Sequence, residues 1–415
     1  MAESSSMIDV IGAGVVGMST ALYLRRSGHN VTVVDPFPAP GGASYGNAGM
    51  LSADTVVPIA LPGMLPKVPS WLLDPLGPLS VRPAYFPKAM PWLMKWIAAG
   101  RWPNVEKISD SLREIHKDSF NCWKELLGSA SYADLIRNNG QVHLWESEQE
   151  TESAALERKL RERHGIKAEA IGADEIRQMF PGITRDIKRG VLVPGNGYTV
   201  NPQRLVETLG QLFSEAGGKT LAQQVFKIIP ETGGYRLLTN TGFHRASTVV
   251  VAAGAFSRRL VEPLGINVPL ETERGYHAML PNHGLRLSTT ISNKTRSFGM
   301  TPMEHGLRVA GTVEIAGLDT PPNEKRAEAL LTNVKRMFPD VKTEGHTFWM
   351  GMRPSTPDSL PIAGEAPGHP GLYLAFGHGH FGMTGGPPTG RLIARLISKQ
   401  KPELDPARYS LRRFN

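Results

Sequence analysis

Three closely spaced glycines near the start of the chain have the spacing that binds a dinucleotide. Gly12, Gly14 and Gly17 stand in the run GAGVVG. In this spacing the first glycine permits a tight turn, the second lets the backbone approach a pyrophosphate, and the third allows a helix to pack closely on a strand. Asp35 follows, and its carboxylate can accept a hydrogen bond from a ribose 2′-hydroxyl. Because the same carboxylate would repel a 2′-phosphate, NADP is disfavoured.

The segments around these residues predict the strand–helix–strand unit that must position them. Apolar Met7–Ile11 predicts a strand before the glycines, and the run MSTALYLRRSG after them predicts a helix that ends at Gly28. Asn30–Val34 predicts the second strand, which leads to Asp35. The start of the helix would offer free N–H groups and a positive dipole to the phosphates. An ordinary glycine-rich turn is the alternative, but the context favours a dinucleotide.

The rest of the chain predicts further alternation of helices and strands, with no internal repeat. A Gly- and Pro-rich stretch follows the first unit, and residues 268–345 predict several strands and a helix near 323–337. Helices are predicted over 104–137, 148–163, Asn201–Ala216 and 388–399, and strands over 140–145, 189–193, Val249–Ala252 and Leu372–Phe376.

Composition excludes several classes of protein. The 415 residues include 40% hydrophobic and 20% charged residues, which is too apolar for a disordered chain. The single cysteine, Cys122, excludes a disulfide scaffold and a cysteine-based metal site. The net charge of +8 comes from scattered Lys and Arg without a nucleic-acid-binding motif, so we expect no nucleic acid. No apolar run is long enough for a transmembrane helix, and no signal peptide is evident, which favours the cytoplasm.

Three further segments decide between FAD and NAD. The residue sets that NAD enzymes usually supply for catalysis are not found. Instead, three segments resemble those of a known FAD-binding family. They are GGASYGNAGM at 41–50 (the GNAG loop), TVVVAAGAFS at 248–257, and GMRPSTPDSLPIAG at 351–364 followed by GHGHFGMTGGPPTG at 377–390. Together with the glycine motif they resemble the D-amino-acid-oxidase-like FAD-dependent oxidoreductases, in family order from residue 8 to about 397. The match is closest to the branch that contains the small subunits of D-amino acid dehydrogenases.

The resemblance implies an α/β fold with two domains. A Rossmann-like FAD-binding domain would be discontinuous and built from residues 1–60, 195–262 and 346–415. A β-rich α+β substrate domain would take residues 61–194 and 263–345.

The resemblance also implies which residues contact FAD. Some relatives, of the sarcosine oxidase type, attach FAD to a cysteine near the C-terminus. This chain has no cysteine there, so non-covalent FAD is expected. The expected FAD-contacting residues come from the glycine motif, the GNAG loop, the middle strand and the C-terminal turn: Gly12, Ala13, Gly14, Val15, Val16, Gly17, Asp35, Gly42, Ala43, Ser44, Asn47, Ala48, Gly49, Met50, Val225, Ala253, Gly254, Arg353, Gly379, His380, Phe381, Gly382, Met383 and Thr384.

Three residues are candidates for substrate binding and catalysis. In family members the arginine of the GxRP segment, here Arg353, binds the substrate α-carboxylate, and a planar guanidinium suits a bidentate contact. Tyr276 would hydrogen-bond the carboxylate or close the pocket, with a core aromatic as the alternative. His380 would contact flavin or substrate, with simple packing as the alternative. Alternation places Arg274 on the face of Tyr276 and His277 on the other. No metal site is predicted, because neither carboxylates nor cysteines lie near His378 and His380 in sequence.

The resemblance implies oxidation of a D-amino acid by hydride transfer from Cα to flavin N5, followed by hydrolysis of the imino acid. A neutral substrate is expected, with D-proline or hydroxy-D-proline among the possibilities, and no dedicated base is evident. The electrons would pass to an acceptor other than O₂, such as a quinone or a partner flavoprotein or iron–sulfur chain. The alternatives are a glycine- or sarcosine-type oxidase or demethylase that uses O₂, and a flavoprotein subunit active only with a partner chain.

A tryptophan- and lysine-containing segment, 85–102, leaves membrane contact open. Trp92 and Trp96 could enter a lipid interface while Lys88 and Lys95 meet headgroups, which would place the protein at the inner face of the membrane. The alternative, which we favour, is that the aromatic residues form the buried face of a helix.

Overall fold

The computed structural model describes residues 7–37, 42–64, 77 and 79–414 of the chain. Gly41, the first residue of the loop motif quoted above, lies outside the described residues. The helices are α1 Val15–Arg26, α2 Phe86–Ala99, α3 Trp102–His116, α4 Ser119–Leu135, α5 Glu152–Arg163, α6 Ala173–Met179, α7 Pro202–Glu215, α8 Ser257–Val261, α9 Glu324–Met337 and α10 Gly382–Ile397. The strands are β1 Met7–Ile11, β2 Asn30–Asp35, β3 Met50–Leu51, β4 Leu79–Val81, β5 Ile136–Arg137, β6 Gln141–Trp145, β7 Glu169–Gly172, β8 Arg189–Val193, β9 Gly197–Thr199, β10 Lys219–Ala222, β11 Val225–Glu231, β12 Gly234–Thr239, β13 Gly242–Ala246, β14 Thr248–Val251, β15 Glu271–Leu280, β16 Thr290–Asn293, β17 Phe298–Met303, β18 Gly306–Ile315, β19 Thr347–Ser355, β20 Ile362–Glu365 and β21 Leu372–Phe376.

Within the described residues, six strands form a mainly parallel sheet in the order β10-β2-β1-β14-β21-β20. Only β20 runs antiparallel to its neighbour. The two central strands are buried on both faces, which suits their Val- and Ile-rich sequences. Helices α1 and α10 pack against each other beside this sheet, and Gly390 makes the close approach possible, because a Cβ there would lie 2.7 Å from the backbone nitrogen of Thr20.

The second sheet is larger than the parallel one. In the part of the chain that the structure describes, its strands follow the order β19-β15-β18-β17-β16-β6-β8-β7, and β4 pairs with the end of β18. A register shift interrupts the pairing of β15 with β18 between Arg274 and Tyr276. Helix α9 packs on this sheet and buries Leu330 and Val334 in its core. Smaller three-stranded sheets, β11-β12-β13 and β3-β9-β5, complete the molecule as described.

The mixed α/β class predicted from the sequence is confirmed. The strands at 189–193 and 372–376 match their predicted bounds, whereas the region 104–137 contains two helices, α3 and α4, rather than one. Helix α10 begins at Gly382 and not at 388, so it includes Pro387 and Pro388. Strand β19 joins the larger sheet although it starts beyond residue 345, and the division into domains stays a prediction.

The helix that carries the tryptophan-rich segment buries its first tryptophan. Trp92 is 7% exposed, and its indole N–H donates to the carbonyl oxygen of Ser355 at 3.1 Å. Trp96 packs against the core, whereas Phe86, Met90 and Met94 of α2 are exposed. None of the described helices combines the length and apolarity needed to cross a membrane.

Candidate functional site

A cavity of about 1180 Å³ lies where the two large sheets meet. The carboxyl ends of β1, β14 and β21 border it near Ile11, Ala252 and Phe376, and Gly275 and Ala310 of the larger sheet border it from the other side. In open α/β sheets, ligands bind outside the carboxyl ends of the strands. The cavity exceeds the range of roughly 300–1,000 Å³ that usually holds one drug-sized ligand. It therefore has room for a cofactor together with a small substrate.

The glycine motif forms the turn between β1 and α1. Gly12 has φ +113°, and a Cβ there would lie 2.4 Å from the carbonyl oxygen of Ala252, so only glycine fits. Gly14 precedes the helix, whose first internal hydrogen bond runs from Met18 N–H to its carbonyl. Val15 N–H donates to Ser44 Oγ, so Gly14 and Val16, which also line the cavity, are the residues that can present N–H groups to an anion there. Gly17 does not line the cavity: a Cβ there would lie 1.9 Å from Gly12 O, so its place is in helix–strand packing.

Asp35 borders the cavity at the end of β2 and braces the turn. Its Oδ2 accepts a hydrogen bond from Ala13 N–H at 2.8 Å, and its Oδ1 accepts one from Phe37 N–H at 2.7 Å. Burial raises the pKa of this carboxyl, while the two N–H groups oppose the shift. Each oxygen retains acceptor capacity that a ribose hydroxyl can use.

The GNAG loop closes over the start of α1. Ser44 Oγ accepts a hydrogen bond from Val15 N–H at 3.0 Å, which ties the loop to the helix N-terminus. Buried Arg308 donates from Nη1 to the carbonyl oxygen of Asn47 at 2.6 Å and thereby holds the loop on the larger sheet. Gly49 does not line the cavity; it has φ +77°, and a Cβ there would meet Thr199 O at 3.0 Å.

The C-terminal turn also lines the cavity. Gly379–Phe381 form a short 3₁₀ turn, and α10 starts directly after it. Ser52 N–H, directly after β3, donates to Thr384 Oγ1 at 3.0 Å, which links the first turn of α10 to the end of the GNAG loop. Apart from Gly17 and Gly49, every residue that the sequence predicted to contact the cofactor lines the one cavity.

Arg353 lies on β19 at the wall of this cavity. Its guanidinium rests on the backbone of Gly275, where a Cβ would come within 2.1 Å of Cζ. Nη1 donates to Thr312 O at 3.2 Å. Burial lowers the pKa of the guanidinium, and Glu273, its register partner on β15, opposes that shift. An arginine remains charged in such a setting, so it can bind a carboxylate that enters the cavity.

Glu273 also binds His380, a contact that the sequence analysis missed. Glu273 Oε2 lies 2.6 Å from His380 Nε2. The glutamate is 4% exposed, whereas the histidine side chain is 35% exposed and lines the cavity. Burial alone would raise the pKa of Glu273, but His380, Arg353 and Ser355 together lower it, so the carboxylate is ionised. Two glutamates and an arginine within one strand were a signal that could have marked this site.

Tyr276 borders the cavity, but its hydroxyl is already engaged. It donates to Glu314 Oε2 at 2.6 Å and accepts from Asn323 N–H at 2.9 Å. Arg274 lies on the same face and pairs with the same glutamate at 3.2 Å. Burial and the Glu314 hydrogen bond raise the pKa of Tyr276 to about 12. These contacts favour the interpretation of Tyr276 as a core aromatic over a substrate-binding hydroxyl.

A tryptophan that the sequence analysis did not single out forms another part of the wall. Trp349 stacks on His277, with ring centroids 5.2 Å apart, and His277 Nδ1 lies 3.0 Å from Gly46 O. A Cβ on Gly46 would lie 2.1 Å from the indole ring, so the loop and the sheet fit only because this residue is glycine. No local pattern marks Trp349, since its partners lie far away in sequence.

Comparison with known proteins identifies the family. The model of the FAD dependent oxidoreductase (DAO) family matches residues 8–396. The chain belongs to this family. It is 41% identical over 421 residues to a D-amino-acid oxidase of Bradyrhizobium diazoefficiens, with 98% of each chain covered. It is 28% identical to a D-amino acid dehydrogenase of Vibrio atlanticus, with 98% of this chain and 99% of the relative covered.

Solved structures show the same fold. The glycine oxidase of Geobacillus kaustophilus superposes with a TM-score of 0.72 at 22% identity, with 98% of each chain covered. The L-proline dehydrogenase of P. horikoshii superposes with a TM-score of 0.75 at 18% identity, with 99% of this chain and 98% of the other covered. The predicted combination of a Rossmann-like FAD-binding fold and a β-rich part is thereby confirmed.

The cavity of this flavoenzyme fits FAD. The helix N-terminus, Ser44 and Gly14 would hold the pyrophosphate, and Asp35 would hold the adenosine ribose. The GNAG loop, the C-terminal turn and Arg353 line the same cavity, in which the flavin ring would lie. Cys122 lies in α4 away from the cavity, and burial raises the pKa of its thiol to about 12. Among the described residues, no cluster suits a metal ion.

Proposed function

We propose that this flavoenzyme oxidises a neutral D-amino acid to the imino acid, which water then hydrolyses to a 2-oxo acid and ammonia. The observation that carries the proposal is Arg353, a cation set into the cavity wall over Gly275. A bidentate arginine would orient the α-carboxylate and so direct Cα towards the cofactor. The names of both relatives, D-amino-acid oxidase and D-amino acid dehydrogenase, support this stereochemistry and reaction class.

The substrate side chain would be apolar or weakly polar. Phe298, Trp349, Met350 and Met352 line the cavity near Arg353. These four side chains carry no charge that could pair with an ionic substrate side chain. D-proline and hydroxy-D-proline therefore remain the first substrates to examine. Non-covalent FAD supplies the two-electron oxidant when bound. The chain's own contribution is to bind the carboxylate, orient the amine and exclude water.

The electron acceptor has two candidates. We favour an acceptor other than O₂, such as a quinone or a partner flavoprotein or iron–sulfur chain. The 41% identical relative is named an oxidase, which favours O₂ as the second candidate. Exposed Phe86, Met90 and Met94 on α2, beside Lys88 and Lys95, support peripheral contact with a membrane that carries a quinone.

Anaerobic spectroscopy tests the reaction. The purified holoenzyme should lose its oxidised-flavin absorption with D-amino acids and retain it with the L-enantiomers. A flavin that stays oxidised with every D-amino acid would contradict the proposal. Re-oxidation of the reduced enzyme by air with stoichiometric peroxide would identify an oxidase, whereas re-oxidation by a soluble quinone without peroxide would identify a dehydrogenase.

A further inference from the structure

The contact between His380 and Glu273 joins a histidine at the cavity wall to a buried carboxylate. The glutamate is buried in β15, and the histidine stands on the 3₁₀ turn at the cavity wall. Their 2.6 Å contact engages Nε2, so Nδ1 is the ring nitrogen left for a ligand. An ionised carboxylate that accepts from Nε2–H leaves the lone pair of a neutral imidazole on Nδ1. A histidine held in this way is oriented and can receive a proton.

The pair is adjacent to the arginine proposed to bind the carboxylate. Glu273 and Arg353 are register partners on β15 and β19, and the arginine's charge acts on the glutamate. Ser355, at the end of β19, forms a β-bridge with His378 on the turn. The turn and the strand are thereby fixed relative to each other. In an α-amino acid the amine is two bonds from the carboxylate carbon, so a substrate whose carboxylate binds Arg353 would have its amine near the residues that flank this arginine.

His380 differs from the two neighbouring histidines, His378 and His116, in the groups that it contacts. His378 bonds Thr389 Oγ1 at 2.9 Å, and burial lowers its pKa to about 3. Burial likewise lowers the pKa of His116, on α3, to about 4. Glu271 on β15 bonds the Tyr85 hydroxyl at 3.1 Å and lies within the influence of Arg258 on α8. Of the three histidines at this turn in the described structure, His380 is the one paired with a carboxylate.

We propose that His380 accepts the proton that the substrate ammonium group must lose, with Glu273 as the residue that positions it. This inference rests on the proposed function. One N–H bond of the ammonium breaks, its proton bonds to Nδ1, and the electron pair stays on the amine nitrogen. That pair would then form the C=N bond as the Cα–H bond breaks, and bound FAD would accept the hydrogen with both bonding electrons as a hydride. The imidazolium is stabilised by Glu273 and releases its proton to solvent after turnover.

The pH dependence of flavin reduction tests the assignment. In wild-type holoenzyme the rate constant for anaerobic reduction divided by Kd should rise less steeply between pH 7 and 9 than in a variant without His380, because the enzyme removes the proton itself. In His380→Gln only the substrate that is already neutral reacts, so the ratio should rise close to tenfold per pH unit. Glu273→Gln should lower the ratio at pH 7 and show a steeper profile than wild type. His369→Gln, a histidine outside the cavity that bonds Leu264 O, is the matched control and should keep the wild-type profile.

A binding measurement separates proton transfer from a purely structural role. 2-Aminoisobutyrate has the ammonium and carboxylate groups but no Cα hydrogen, so it binds without reducing flavin. If the bound amine is neutral, its proton stays on His380 in wild type and goes to solvent in His380→Gln. Calorimetry in buffers of different protonation heat should then count no proton released by wild type at pH 7.5 and about one released by His380→Gln. Identical pH profiles and identical proton counts in the two proteins would overturn the assignment. If no D-amino acid reduces the wild-type flavin, the proposed function fails instead, so the two failures are distinguishable.

Discussion

At the scale of single residues, the site depends on glycines that leave room for larger side chains. The guanidinium of Arg353 occupies the space that a side chain on Gly275 would fill. Gly46 and Gly351 leave corresponding space for the indole of Trp349. These glycines lie on segments far apart in sequence, and together they shape the cavity wall next to the proposed carboxylate site. Each glycine therefore affects substrate binding indirectly, because it leaves room for a larger side chain in the cavity wall.

Gly275→Ala should displace the guanidinium, because the added Cβ would lie within 2.1 Å of Cζ. We expect KM for a D-amino acid to rise about tenfold, equivalent to about 1.4 kcal/mol of binding, with bound FAD unchanged. Steady-state kinetics and the flavin absorbance of the purified variant measure both quantities. Gly172→Ala is the control, since a Cβ there meets nothing within 4 Å and the residue is outside the cavity. An unchanged KM in Gly275→Ala would show that Arg353 does not bind the substrate carboxylate.

Sequence reasoning located residues whose function follows from local spacing. Gly12 and Asp35 belong to one βαβ unit. The helix and strand periodicities in the sequence predict this unit, and the unit brings the two residues close together. Glu273 and His380 are 107 positions apart, and their contact depends on how the turn after β21 packs on β15. That packing is a tertiary property, which no local pattern encodes. The sequence analysis therefore named His380 as a candidate but missed its contact with Glu273.

At the scale of elements, α10 shows how a helix can contain two prolines. Pro387 and Pro388 lack the N–H groups that would bond the carbonyls of Met383 and Thr384. Two side chains of α4 take their place: Trp123 Nε1 donates to Met383 O at 3.0 Å, and Ser119 Oγ donates to Thr384 O at 2.7 Å. The sequence predicted this helix over 388–399, and a proline in a helix interior normally interrupts the helix. The replacement donors come from another helix and were not visible in sequence.

Ser119→Ala should destabilise the protein by about 1–3 kcal/mol, because it leaves the buried Thr384 carbonyl without a donor. Pro388→Ala restores a backbone N–H at the correct position. In that background the same serine substitution should cost clearly less. The four proteins of this double-mutant cycle can be compared by urea unfolding. Equal costs in both backgrounds would show that the serine does not replace the missing N–H.

At the scale of the whole molecule, the cavity exists because two sheets with different topologies meet. The parallel sheet contributes the turn after β1, and the larger sheet contributes Arg353 and Glu273. The parallel sheet also contains an ionisable group at its centre. Asp9 on β1 is 1% exposed, and neither carboxylate oxygen has a hydrogen-bond partner among the described residues. Burial raises its pKa to about 7, so folding favours its protonated form.

The Asp9 carboxyl should make stability depend on pH. The folded state holds its proton up to about pH 7, whereas the unfolded state loses it near pH 3.8, so stability falls as pH rises between these values. Relative to wild type, Asp9→Asn should therefore gain about 3 kcal/mol of stability between pH 5 and pH 8. Urea unfolding of both proteins at the two pH values measures this difference. A difference that stays constant with pH would place the titration of Asp9 outside this range.

The account depends most on Arg353 as the site of the substrate carboxylate, and anaerobic flavin reduction tests it directly. Arg353→Lys keeps the positive charge and loses the planar fork. The Kd of a D-amino acid, taken from the concentration dependence of the reduction rate, should rise tenfold or more, or about 1.4 kcal/mol, while the flavin spectrum of the resting enzyme is unchanged. A Kd equal to that of wild type would contradict the assignment and with it the proposed orientation of the substrate.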